Sequence, residues 1–227
     1  MRISYLALSD TRCTVQIPGC NFNCRGCFSN QRHNCGVEVS AACIAGHIPP
    51  GNEVMLAGGE PTLYRQELLS LIHELDQQKV ILSTNGYLLD RSLLENLGGI
   101  IVHIDLKALD PKLHRWYTGK DNATVLAAIR MLHDLDFDFE VSTVYIPGIV
   151  ETMEIENIAR FLSGVGDIRY KIMRYVPANN FSSRPGVQEI QDAVNTARKY
   201  LGNVSSSIEN RSHPVDRKIV NIISSSN

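Results

Sequence analysis

The chain has 227 residues, 22 of them basic against 24 acidic, and a formal net charge of −2. That length buries a core without disulfide staples, and the balanced charge argues against bulk attraction to nucleic acid or an anionic membrane. At 44% hydrophobic and 20% charged residues, the composition is globular, not that of a disordered chain or a coiled coil.

The opening run MRISYLALSDTRC is too polar for the apolar segment of a signal peptide. No stretch reaches the ~18 uninterrupted apolar residues of a membrane-spanning helix. A cytoplasmic location is therefore expected. In a reducing compartment, clustered cysteines serve as metal ligands or catalytic groups more readily than as crosslinks. All six cysteines lie between Cys13 and Cys43.

The first predicted strand covers residues 13–17 and carries Cys13, which reads as a small apolar side chain. Behind it comes the run CNFNCRGC, a C-x3-C-x2-C group made by Cys20, Cys24 and Cys27. Three thiolates on one tight loop can each ligate one iron of a [4Fe–4S] cluster. Such clusters usually take four cysteines, so this loop leaves one iron open for chemistry. The alternative is a closed structural zinc, with Cys13, Cys35 or Cys43 as fourth ligand.

A β-type run at 54–57 leads directly into Ala57-Gly58-Gly59-Glu60-Pro61. The carboxyl end of a strand is where parallel α/β sheets place ligands. Glycines let the backbone approach a ligand closely, and Pro61 suits the first turn of a following helix. The bland alternative is an ordinary βα turn. Leu68, Leu69, Ile72 and Leu75 then mark one apolar helix face. The strand 80–84 runs into Asn85-Gly86. Leu93, Leu94 and Leu97 mark a short helix stopped by Gly98-Gly99.

The strand 100–106 carries a polar row. Side chains two apart share a face, so His103, Asp105 and Lys107 point one way and Ile104 and Leu106 the other. On a central strand such a row lines a cavity or a site; on an edge strand it is merely solvated. A helix through Val125, Leu126, Ile129, Leu132 and Leu135 follows, then a strand at 139–146. Next come a helix through Ile155, Ile158, Phe161 and Leu162, a strand at 168–175, and a helix at 187–201.

Six β-then-α units imply a parallel sheet covered by helices. At ~30 residues per unit, eight do not fit. The expected fold is α/β, a partial (β/α)6 TIM-like barrel over residues 1–202. A polar extension follows over 203–227, with residues 215–223 as a candidate strand or helix and a loose end. His33, His47 and His73 have no partner pattern and read as surface.

CNFNCRGC followed by GGE, TNG and DLK in that order resembles the radical S-adenosylmethionine (radical SAM) superfamily. Among its members the chain is most similar to the glycyl-radical-enzyme activases of the pyruvate formate-lyase activating enzyme type. Asp110-Pro111, His114, Thr118-Gly119 and the run VYIPGIV that starts at Val144 extend the likeness over about residues 13–177.

The resemblance implies a catalytic [4Fe–4S] cluster held by Cys20, Cys24 and Cys27, its open iron chelated by the amino and carboxylate groups of SAM. One electron breaks the sulfonium bond, and the 5′-deoxyadenosyl radical takes a hydrogen atom from the substrate. Gly58, Gly59 and Glu60 then bind the SAM amino group. Lys107 meets the ribose or carboxylate. Thr84, with Asn85 in the TNG motif, and Asp105 help to build a monovalent-cation site.

Ser83 replaces an acidic residue near the SAM amine. Gly26 stands where most members carry an aromatic residue beside the adenine, with Phe28 as a substitute. Ser29 or Asn30 is placed for the ribose. Arg174 and Tyr175 stand where activases place a ribose histidine. The implied partners are a low-potential donor (flavodoxin or ferredoxin) and a glycyl radical enzyme. Alternatives are a small-molecule enzyme similar to 7-carboxy-7-deazaguanine synthase, a peptide- or protein-modifying enzyme, and a non-catalytic iron–sulfur or zinc module.

Overall fold

The computed structural model describes residues 1–29, 35–179, 181–209 and 217–222. Asn30 and His33 lie outside them. In chain order the strands are β1 (Arg2–Ile3), β2 (Tyr5–Leu8), β3 (Arg12–Ile17), β4 (Val37–Glu38), β5 (Glu53–Gly58), β6 (Val80–Thr84), β7 (Ile101–Asp105), β8 (Phe139–Tyr145), β9 (Arg169–Arg174), β10 (Val204–Ser206) and β11 (Lys218–Val220). The helices are α1 (Ala41–Gly46), α2 (Arg65–Glu74), α3 (Arg91–Leu94), α4 (Pro111–Thr118), α5 (Ala123–Asp134), α6 (Thr152–Ser163) and α7 (Val187–Ala197).

The main sheet has the order β10-β9-β8-β7-β6-β5-β3-β2-β11. From β3 to β9 each strand lies parallel to the one before it in this winding. That sequential order builds a barrel wall rather than a doubly wound sheet. The wall stays open, with β10 at one end and β11 at the other. The α/β, six-unit partial barrel read from the sequence is the fold observed.

The alternation along each strand explains which face is covered. Cys13, Val15 and Ile17 of β3, Val102 and Ile104 of β7, and Tyr170 and Ile172 of β9 are buried. They join one apolar cluster with Leu68 and Leu71 of α2, Ile129 and Leu132 of α5, and Ile155 and Ile158 of α6. The opposite row is mostly half-buried and carries the polar side chains Thr14 and Gln16, Ser83, His103 and Asp105, Glu140 and Ser142, and Lys171, alongside Met55, Ala57, Val144 and Met173. The polar face of β7 therefore lines the concave side of the wall.

Several elements escaped the sequence reading. β1, β2, β4 and β10 have two to four residues each, too few to show a period, whereas β11 falls inside the stretch 215–223 read as a candidate strand or helix. α4 was missed because its signal is in its caps. Asp110 accepts from the Leu113 amide at 2.7 Å, Pro111 opens the first turn, and Gly119 closes it at φ 81°. α7 stops at Ala197 rather than at residue 201. The segment set apart as a polar extension supplies β10, parallel to β9, and β11, antiparallel to β2, so both sheet edges are paired from it. No described helix is long and apolar enough to cross a membrane.

At the amino ends of β3 and β5, Glu53 pairs with Arg12 and with Lys79, the latter at 2.8 Å. Burial works against the Glu53 carboxylate, but Lys79 and Arg12 outweigh it and hold its pKa below the ordinary 4.5. A carboxyl depressed in the native state adds stability above its unfolded pKa and loses it as pH falls through the native value. Glu53→Gln is therefore expected to melt earlier than wild type at pH 7, with the gap closing as pH drops below 4.5. A gap of constant size across that range would refute the assignment.

Candidate functional site

The cysteine loop leaves the carboxyl end of β3 and is tied down from two directions. The last turn of α4 has carbonyls with no partners inside the helix. The loop fills them: Asn23 and Arg25 amides donate to Thr118 and Tyr117 at 2.8 and 3.0 Å. The Arg25 Nε donates to the Trp116 carbonyl at 2.8 Å. From the segment after β9, the Asn179 side-chain amide donates to the Cys27 carbonyl at 2.9 Å.

The glycine turn behind β5 is laced to the same loop. Gly59 and Glu60 amides donate to the carbonyls of Ile17 and Gly19, both at 2.7 Å. A Cβ built on Gly59 would lie 1.7 Å from the Gly19 oxygen, so only glycine permits this approach. Gly58 sits at φ 128°, in the region that favours glycine.

Glu60 turns its carboxylate into the protein. The residue is 0% exposed. One carboxylate oxygen accepts from the Thr62 amide and hydroxyl, at 3.1 and 2.6 Å, and from the Thr84 hydroxyl at 2.6 Å. The other accepts from the Asn85 amide at 2.7 Å. Burial raises its pKa, and these donors pull the other way. The resemblance gave the Glu60 carboxylate to the SAM amino group; the structure gives it to the joint between the glycine turn and the turn after β6. What this motif presents outward is the backbone of Gly58 and Gly59.

Thr84 and Asp105, expected to help build a cation site, stand on neighbouring strands. Thr84 is in register with Ile104, so its side chain shares the covered face. Asp105 lies on the concave face, bonded to the Ser142 hydroxyl and, at 2.8 Å, to the Lys107 ammonium. Ser83 does share the face of Asp105, being in register with His103. Arg174 turns its Nε to the Pro185 carbonyl at 2.7 Å.

Cys20 and Cys24 lie within electrostatic reach of Cys27 and Lys107. Burial pushes the Cys24 thiol up to about 12; Lys107 opposes this, while Cys20, Cys27 and Asp105 add to it. Burial raises Cys20 too. Burial also works against the Lys107 ammonium, but Asp105, Cys24 and Tyr117 outweigh it and keep the lysine charged. Cys20 and Cys24, thiols that resist ionisation, need a cationic centre to hold them as thiolates. Asn85 donates to Asn21 at 2.6 Å and reaches the Cys20 sulfur at 3.8 Å.

Two buried polar atoms on this loop, Asn21 Nδ2 and Ser29 Oγ, have no partner among the described residues. They fit a polar group seated beside the cysteines. Among the described residues no three Cys, His, Asp or Glu side chains gather as a site for a single ion. Three cysteine donors on one loop, with Asn21 Nδ2 and Ser29 Oγ beside them, fit a cluster with a bound polar ligand. The other cysteines stand apart: Cys13 is fully buried in β3, and burial alone lifts its thiol to about 11.

Sequence reasoning missed Asn21, Ser142, Tyr117 and Phe181. Phe28 is 76% exposed. A Cβ on Gly26 would lie 2.9 Å from both the Phe181 ring and the Tyr117 hydroxyl, and 3.2 Å from the Tyr175 hydroxyl.

A profile of the radical SAM superfamily matches residues 14–162. A Methanocaldococcus jannaschii protein named as a glycyl-radical enzyme activating enzyme is 36% identical over 97% of this chain and 89% of its own. The pyruvate formate-lyase-activating enzyme of Streptococcus mutans is 26% identical over 58% of this chain and 54% of its own. Among solved structures, Streptococcus suis SuiB bound to its precursor peptide SuiA aligns with a TM-score of 0.70 and 19% identity. That alignment covers 83% of this chain and 46% of SuiB, a likeness of fold.

Proposed function

This chain belongs to the radical SAM superfamily, and from that membership we propose that it activates a partner protein by abstracting hydrogen from a backbone glycine. Members of the superfamily use a [4Fe–4S] cluster and SAM. Bound together, these supply one-electron cleavage of the sulfonium bond and the 5′-deoxyadenosyl radical. In this reading Cys20, Cys24 and Cys27 each ligate one iron. The backbone at Gly58 and Gly59 meets the SAM amino group. Lys107, steadied by Asp105, faces the carboxylate or ribose, and Ser29 supplies a hydroxyl. The electron comes from a low-potential donor such as flavodoxin or ferredoxin.

The observation that carries a protein substrate is the mouth of the barrel. Phe28, Leu63, Leu88, Trp116, Met153, Val176 and Val187 are exposed apolar residues. All sit on segments that follow the carboxyl ends of strands, on the side where the cysteine loop lies. Away from that rim, the large exposed apolar residues among the described ones are Val37 and Ile219. An apolar rim around an open wall suits a macromolecular surface better than an enclosed metabolite.

The test is anaerobic reconstitution followed by dithionite and SAM, then addition of candidate glycyl radical enzymes. We expect 5′-deoxyadenosine, a glycine-centred EPR signal in the partner, and deuterium transfer from a glycine-labelled partner into the nucleoside. Fully loaded protein that yields no 5′-deoxyadenosine would overturn the enzymatic reading. Nucleoside without any glycyl signal across such partners would overturn the activase assignment.

A further inference from the structure

Gly26 has no room for a side chain because aromatic rings from elsewhere in the fold already fill it. Phe181 sits at the centre of that group. Its ring is stacked on Tyr117 (6.4 Å between centroids, 20° between planes), meets Tyr175 edge-on (6.4 Å, 64°) and lies beside Trp116 (6.2 Å, 33°). Tyr117 and Tyr175 are buried, at 4% and 3% exposure, whereas Phe181 is half-buried and Trp116 is 45% exposed. The two inner rings are enclosed, and the two outer rings are reached by solvent.

These rings are fastened to the cysteine loop itself. Asn179 bonds the Cys27 carbonyl, the Phe181 amide donates to the Ala178 carbonyl at 3.2 Å, and the Tyr175 hydroxyl donates to the same carbonyl at 2.9 Å. On the other side, Trp116 and Tyr117 carbonyls hold Arg25, and the Arg25 guanidinium lies 4.9 Å over the Trp116 ring. A partly open aromatic face, rigidly placed against Cys27, is a site for a flat π-system. The nucleobase of SAM must lie within one nucleoside length of the iron-ligating loop, and base–aromatic stacking is sequence-tolerant and strong.

We propose that Phe181, braced by Tyr117 and Tyr175, is the stacking platform for the adenine of SAM. The platform is delivered in space from the segment after β9 to the place where a side chain at Gly26 would otherwise stand. This rests on the proposed reading that the chain binds SAM at a cluster on Cys20, Cys24 and Cys27.

The test is calorimetric titration of anaerobically reconstituted protein with SAM and, separately, with methionine, which shares the chelating groups but lacks the base. Phe181→Leu keeps the bulk and removes the π face. It is expected to weaken SAM binding about tenfold while leaving methionine binding, cluster absorbance and melting temperature unchanged. Unchanged SAM affinity in Phe181→Leu would overturn the inference while leaving the superfamily reading intact. An equal loss for SAM and methionine would also overturn it, because the ring would then only brace the loop. Loaded wild-type protein that binds neither ligand would overturn the underlying reading, and the inference with it.

Discussion

Cys24→Ala is expected to reduce 5′-deoxyadenosine formation to background and to cut iron content after reconstitution, whereas Cys13→Ala retains both. The two thiols look alike by burial, which lifts the first to about 12 and the second to about 11. Their neighbours differ. Cys24 has Cys20, Cys27 and the Lys107 ammonium around it, and in the proposed reading its thiolate is one of three iron ligands. Removing it leaves two ligands for a group that needs three. Cys13 sits in β3 among apolar side chains, and nothing charged acts on it. Its truncation leaves a small void worth about 1 kcal/mol of stability. Iron analysis, cluster absorbance and nucleoside yield on the same preparations separate the two. Full iron and full cleavage in Cys24→Ala would remove the cluster from this loop and with it the enzymatic reading.

The frame of the fold was legible because it repeats. β6 was bounded correctly by its apolar run, and β5, β7, β8 and β9 came within one or two residues. Each is a central strand whose pattern is set by one covered face. The polar row of β7 was legible for the same reason, since period two alone separates Asp105 from Ile104.

What could not be read was orientation and long-range contact. Glu60 belongs to a motif whose spacing says nothing about where the carboxylate turns. The Thr62 amide, reached by the turn at Pro61, swings it inward. Thr84 and Asp105 are neighbours in space, yet the register with Ile104 puts their side chains on opposite faces. The bond from Asn179 to Cys27 spans 152 positions, so Phe181 gives no local sign that it fills the space at Gly26. The glycine at 26 was visible as a departure. Its cause is a tertiary contact.

Gly59→Ala is expected to cause the largest loss of any single-methyl change on this chain. The added carbon would stand 1.7 Å from the Gly19 carbonyl oxygen, and that atom cannot rotate away as a flexible side chain would. The backbone must part, breaking the bonds from Gly59 to Ile17 and from Glu60 to Gly19. Overpacking a core costs ~1–3 kcal/mol where side chains can shift. Here the cost lies at or above the upper end, a fall of about 6–12 °C in Tm for a domain of this size.

The same methyl group placed on Gly98 meets nothing within 4 Å, so Gly98→Ala should stay within about ±0.5 kcal/mol of wild type. The damage at Gly59 also reaches function by a stated route. Glu60 is anchored through its amide to Gly19, one residue before Cys20, and through its carboxylate to Thr84 and Asn85, the latter reaching the Cys20 sulfur. Forcing Gly59 away from Gly19 therefore moves the first cysteine relative to the turn after β6. Iron content should fall in Gly59→Ala even at temperatures where the protein remains folded. If Gly59→Ala and Gly98→Ala melt together and load iron equally, the close approach of these two backbones is not what holds the cysteine loop in place.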